Sequence, residues 1–154
     1  MRRTDREITS IGDIEEIIRK CDVCRIAMAV DNIPYMVTMN FGYVGGPEKR
    51  LYFHCAREGR KLDMIRKNSR VCFEMDTDHI LYRGDNGCDW GMNFKSVVGY
   101  GIISEVNDIN HKIEGLNSLM SHYSGREQFS YDPRVLERTV VLRLDITEIS
   151  CKKK

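Results

Sequence analysis

Between residues 139 and 147 the chain alternates without a break. Val140, Leu142, Leu144 and Ile146 occupy one parity, and Val141, Arg143, Asp145 and Thr147 the other. Successive side chains on a strand point to opposite faces, so this pattern predicts a long strand with one face on a core. Val141 then points outward, which suits a sheet whose second face is partly covered. Further extended runs fall at 23–30, 35–43 after Pro34, 51–55 after the Gly45-Gly46-Pro47 turn, 70–76, 79–83 and 94–106.

Helical patterns are fewer. Ser10 and Asp13 both suit an N-cap ahead of Ile14, Ile17, Ile18 and Cys21 on one face. A second helix is predicted at about 58–68, with Leu62 and Ile65 inward. A third starts at Asp108, carries Ile109, Ile113, Leu116, Met120 and Tyr123, and stops at Gly125. Asp132-Pro133 opens a short helical turn, since proline suits the first helical position. Consecutive strands with only occasional helices do not follow the β-α-β rhythm of a parallel sheet. The expected fold is mainly β, an antiparallel barrel with peripheral helices in a single domain spanning 1–154.

Charge narrows the partners. Lys and Arg total 24 against 23 Asp and Glu, a net charge of +1. A protein that coats nucleic acid or an anionic membrane needs a large basic surplus, so neither partner is expected. The basic start at 1–7 is followed by no apolar signal core, and no run approaches the ~20 apolar residues of a membrane helix. A cytoplasmic protein is expected. The six cysteines include one suggestive pair, Cys21-Asp-Val-Cys24. A structural zinc would want a second pair, and a thioredoxin-like site would want the motif to open a helix after a strand. Cys24 reads instead as a small buried hydrophobe.

Residues 53–63 carry the chemistry. A helix start bears partial positive charge and favours acids in its first turn. Here Arg57, Arg60 and Lys61 crowd that end, with Glu58 alone in opposition. The cluster suits either a solvated basic face or a phosphate held by side chains and free backbone N–H groups. Its place directly after a strand ending in His54 favours the phosphate.

Residues 34–43 (Pro-Tyr-Met-Val-Thr-Met-Asn-Phe-Gly-Tyr), 51–56 (Leu-Tyr-Phe-His-Cys-Ala), 59–63 (Gly-Arg-Lys-Leu-Asp) and 68–74 (Asn-Ser-Arg-Val-Cys-Phe-Glu) resemble the pyridoxamine 5′-phosphate oxidase-like superfamily. Residues 1–7, 24–27, 76–79 and 96–101 are similar to its nitroimidazole-resistance (Nim-type) branch. The resemblance implies a six-stranded split β-barrel binding FMN, in a homodimer with FMN at the interface. It places Met36, Val37, Thr38, Met39 and Asn40 along the isoalloxazine and ribityl chain. Phe53, His54 and Cys55 would stand beside the flavin, Arg60 and Lys61 on its phosphate, and Ser96 near the cofactor. Trp90, in the Gly-rich loop 84–91, would cover the ring or the dimer seam, or else anchor the core.

The chain also departs from the oxidases. Tyr35 and Asn40 fall where those enzymes carry basic residues, and their C-terminal basic motif is missing. An anionic vitamin phosphate cannot be held without such cations, so pyridoxal phosphate synthesis is not expected. The resemblance gives His54 a part in the chemistry, and an imidazole can give or take a proton near neutral pH. The alternative is a histidine that merely fills the pocket. His111 and His122 are expected on the third helix, exposed or capping its ends. Asp76, Asp78 and His79 read as a polar turn, and no metal is expected. The expected activity is an FMN-dependent reductase. It would pass electrons from a reduced nicotinamide or another donor to a small aromatic acceptor, a nitro compound among them. The rival is a non-catalytic FMN carrier or sensor. No Gly-x-Gly-x-x-Gly fingerprint is present, so a nicotinamide donor would bind transiently.

Overall fold

Eight strands pair antiparallel into one sheet in the computed structural model, which describes residues 3–154. Met1 and Arg2, part of the segment likened to the Nim-type branch, lie outside the described residues. In chain order the elements are β1 (Glu7–Ile8), α1 (Ile11–Lys20), β2 (Cys24–Val30), β3 (Ile33–Met39), β4 (Gly42–Val44), β5 (Arg50–Ala56) and α2 (Arg60–Lys67). They continue with β6 (Arg70–Tyr82), β7 (Gly91–Val106), α3 (Ile109–Ser124), α4 (Pro133–Arg138) and β8 (Thr139–Lys153). The strand order is β3-β2-β6-β7-β8-β5-β4, with β1 added to β8. Six strands have seven or more residues, and β1 and β4 have only two and three. The six-stranded barrel of the sequence reading is thus six long strands with two short additions.

The split in the barrel is visible in the chain. Residues 35–43, expected as one strand, divide at Asn40-Phe41. β3 ends at one edge of the sheet, and β4 begins at the opposite edge. Phe41 is fully buried between them, and its N–H donates to the Tyr123 hydroxyl at 3.1 Å rather than to a strand. Gly42 follows against the backbone of Ser118 and Leu119 on α3, leaving no room for a Cβ. Bulk at Phe41 and close approach at Gly42 carry the chain across the opening.

The expected parity of β8 holds. Leu142 and Leu144 are buried in the main core, with Val140 and Ile146 packed at its margin. Facing strands add Ile26 and Met28 of β2, Leu51 and Phe53 of β5, and Phe73 and Met75 of β6. Val141 on the other face is also fully buried, under a lid of Tyr52, Leu116 and Leu136. Leu116 and Leu136 come from α3 and α4 and Tyr52 from neighbouring β5, so the second face of β8 is covered locally, as its apolar Val141 suggested.

Caps follow sequence chemistry. Ser10 accepts from the Asp13 N–H, Asp108 from His111 and Asp132 from Arg134, with Pro133 in the first turn of α4. Gly125 ends α3 at φ 70°, a left-handed conformation that favours glycine. Two expectations change. The runs at 70–76 and 79–83 are one strand, β6, joined through a bulge between Thr77 and Ile80 where Asp78 takes φ 56°. His122 is neither exposed nor a cap, because its ring packs 4.3 Å from Phe41 and its Nε2 lies 2.8 Å from the Cys21 carbonyl. His111 is exposed beside Asp108.

Candidate functional site

The end of β3, the end of β5 and the start of α2 enclose an open cleft of about 410 Å³. Six residues singled out in the sequence line it: Thr38, Met39, Asn40, His54, Cys55 and Lys61, joined by Val23 and Ala56. β5 places His54 and Cys55 beside β8, where they oppose Val141 and Val140. The chain then leaves the sheet and turns at Gly59, whose φ of 135° suits a residue without a side chain. Leu62, Met64 and Ile65 bury the inner face of α2, which fixes Lys61 toward the cleft.

The three cations of this segment separate. Arg57 and Glu58 precede the helix rather than entering its first turn, and Arg57 lines a different cavity with Arg66 and Glu105. Arg60 lays its guanidinium 4.6 Å from the centre of the Tyr35 ring. Lys61 has no ion-pair partner among the described residues and faces the cleft. Burial pushes the Cys55 thiol upward, and the Lys61 ammonium pulls it part of the way back. His54 is exposed and makes no side-chain hydrogen bond among the described residues.

The other sequence candidates lie elsewhere. Phe53 is fully buried in the main core, and Val37 packs at its margin. Met36 is 62% exposed on the sheet face. Trp90 is half exposed, so it is no core anchor, and its indole N–H donates to the Gly84 carbonyl at 2.8 Å. Ser96 is buried on β7, and its Oγ has no hydrogen-bond partner among the described residues.

Strand register connects the cleft to Ser96 through Arg25, Glu74 and Asp76, none of which was expected at the site. Thr38 opposes Arg25, Arg25 opposes Glu74, and Asp76 opposes Ser96. Paired residues share a sheet face, so a polar row crosses four strands. The Arg25 Nη1 lies 2.9 Å from Glu74 Oε2 and 2.6 Å from Asp76 Oδ1. The signal was present in the alternation of Arg25, Glu74 and Asp76 with buried Ile26, Phe73 and Met75. Partners on different strands, however, cannot be matched without the register.

This row tests whether the residues suit a flavin mononucleotide. A free cation at a helix start suits the phosphate, and Thr38 and Asn40 offer hydrogen bonds to a polyhydroxyl chain. An unsatisfied buried hydroxyl at Ser96 calls for a polar partner. The donor set fits.

Comparison with known proteins agrees with this architecture. The sequence pattern of the family described as pyridoxamine 5′-phosphate oxidase matches residues 10–153, and the chain belongs to that family. It is similar to a candidate 5-nitroimidazole antibiotic resistance protein from Bacteroides thetaiotaomicron. The two are 29% identical, with 96% of this chain and 86% of that one covered and a TM-score of 0.82. An FAD-binding protein from Mesorhizobium loti shares 25% identity over 95% and 96% of the two chains, with a TM-score of 0.66. An FAD and heme binding protein from Mycobacterium smegmatis shares the fold alone, at 17% identity, 97% and 73% coverage and a TM-score of 0.83. No curated protein matches the sequence. The split-barrel fold and the Nim-type resemblance read from the sequence both stand.

Proposed function

We propose that the protein is an FMN-dependent reductase acting on a small aromatic acceptor, a nitro compound among the candidates. The observation that carries this reading is Lys61, a cation with no ion-pair partner among the described residues, at the first turn of α2 in a cleft shared with Thr38, Asn40 and His54. Lys61 and the first-turn N–H groups hold the phosphate, with Arg60 beside them on Tyr35. Met36, Val37, Thr38, Met39 and Asn40 orient the ribityl chain and ring, and Ser96 receives a polar group at the far end of the row. Bound FMN would supply the electron transfer between donor and acceptor. His54, exposed and without a side-chain hydrogen bond among the described residues, gives a proton to the reduced acceptor from a ring nitrogen. The cations that would grip a vitamin phosphate are absent at Tyr35 and Asn40, which argues against pyridoxal phosphate synthesis.

Two further parts belong to this reading. Met36, Tyr100 and Ile102 expose apolar area on one sheet face, which supports a homodimer that completes each flavin site. The six free cysteines suit a reducing compartment, and we assign the protein to the cytoplasm. Among the described residues no helix is long and apolar enough to cross a membrane.

The test is steady-state oxidation of reduced nicotinamide by the FMN-loaded protein, with and without a nitroaromatic acceptor. Acceptor-dependent turnover that falls sharply in His54→Ala, with flavin content unchanged, supports the reading. Flavin retained with no turnover from any donor would identify a carrier instead.

A further inference from the structure

A cavity of about 850 Å³ lies away from the Lys61 cleft and shares no residue with it. It opens where the outer ends of β6, β7 and β8 meet the segment preceding β1. Its entrance is built around the β6 bulge. On an ordinary strand, residues three apart point to opposite faces. Here Asp78 takes φ 56°, and His79 folds back so that its Nε2 lies 2.7 Å from Asp76 Oδ2. That contact fixes the ring and leaves Nδ1 without a partner in the described structure. Bulges re-aim side chains in this way beside functional sites.

The lining pairs cations with aromatic rings. Arg6, Lys95, Lys153 and Lys154 face two carboxylates, Asp5 and Asp78. Both acids are engaged: Asp5 is held by Arg3 at 2.7 Å and Asp78 by Lys95 at 2.8 Å. Lys153 and Lys154 have no acidic partner among the described residues. Tyr82 and Phe94 supply rings, with Lys154 Nζ 5.4 Å from the Tyr82 centre. Ile80 adds an apolar wall and is 62% exposed.

We propose that this cavity is a second ligand site, separate from the flavin cleft, for a small aromatic anion. The ring would pack on Ile80 and Phe94, and its carboxylate or phosphate ester would meet Lys153 and Lys154, close to the His79 ring. A neutral ring leaves the lysines unanswered, and a bare anion leaves the apolar wall wet.

Calorimetric titration of the full chain with benzoate and with phenyl phosphate tests the site, and benzamide and inorganic phosphate serve as controls. Benzoate or phenyl phosphate should bind well above both controls, and the stronger of the two identifies the anion. Affinity should fall roughly tenfold in Lys153→Ala, the scale of one charge-assisted contact. It should be unchanged in Lys61→Ala, so this site stands or falls independently of the flavin reading. Should Lys153→Ala fold poorly by circular dichroism, the ring resonances of the wild-type histidines decide. Benzoate should move His79 and leave His54, His111 and His122 in place. Equal binding of benzamide, no binding of either aromatic anion, unchanged affinity in a folded Lys153→Ala, or movement of His54 instead of His79 would overturn the proposal.

Discussion

Arg25 on β2 and Asp76 on β6 meet at 2.6 Å from positions 51 residues apart, tying the two strands on their outer face. Burial alone would raise the Asp76 carboxyl. The Arg25 guanidinium and then His79 more than offset it, and the group ends below the usual carboxylate range. A depressed folded value means that the unfolded chain takes up the proton first as pH falls. The contribution is therefore complete above the ordinary Asp value of about 3.9 and is lost as pH drops through the lower folded value. Asp76→Asn should cost about 0.5–1 kcal/mol at pH 7, a figure discounted for partial solvent screening. Urea midpoints of both proteins should converge in strong acid; a constant gap across pH would contradict the assignment.

The crossing at Phe41-Gly42 makes a second prediction. A Cβ at Gly42 would collide with the α3 backbone at Ser118 and Leu119 rather than with a movable side chain. Gly42→Ala should lower stability by about 1–3 kcal/mol, the usual scale of overpacking. Gly87, whose Cβ would meet nothing within 4 Å, should accept alanine with little change. Thermal melts of the two variants compare them directly.

Thiol reactivity should follow burial. Cys21 is buried, and burial is the main cause that pushes its thiol up to about 12; Cys24 is raised further still. Cys88 is exposed. Alkylation of the folded protein near pH 8, read by mass spectrometry, should label Cys88 first and leave Cys21 and Cys24 until unfolding. Early labelling of that pair would revive a redox role for the Cys21-Asp-Val-Cys24 motif.

Features set by local chemistry were legible in the sequence. The parity of β8, the caps at Ser10, Asp108 and Asp132, and the stop at Gly125 each depend on neighbours a few residues away. Features set by long-range contact were not. β6 reads as two strands because Asp78 interrupts the alternation, yet flanking pairs with β7 continue on both sides of the bulge. The break after Met39 depends on α3, which arrives some 80 residues later to meet Phe41. At the site, Thr38, Met39, Asn40, His54, Cys55 and Lys61 share one cleft, whereas Met36, Val37 and Phe53 do not line it. Arg57 lines another cavity because Gly59 starts the helix later than expected, and Arg60, next to Lys61, rests on the Tyr35 ring rather than lining the cleft. The row of Arg25, Glu74 and Asp76 needed the register to be seen at all.

The proposed function makes Lys61 the cation that holds the flavin phosphate. Titration of the purified protein with FMN, followed by quenching of flavin fluorescence, decides this. Lys61→Ala should weaken binding by about 1.5–3 kcal/mol, the scale of a hydrogen bond to a charged group. Riboflavin, which lacks the phosphate, should bind wild type and variant alike, and Arg57→Ala should bind FMN as wild type does. An unchanged FMN affinity in folded Lys61→Ala would contradict the claim.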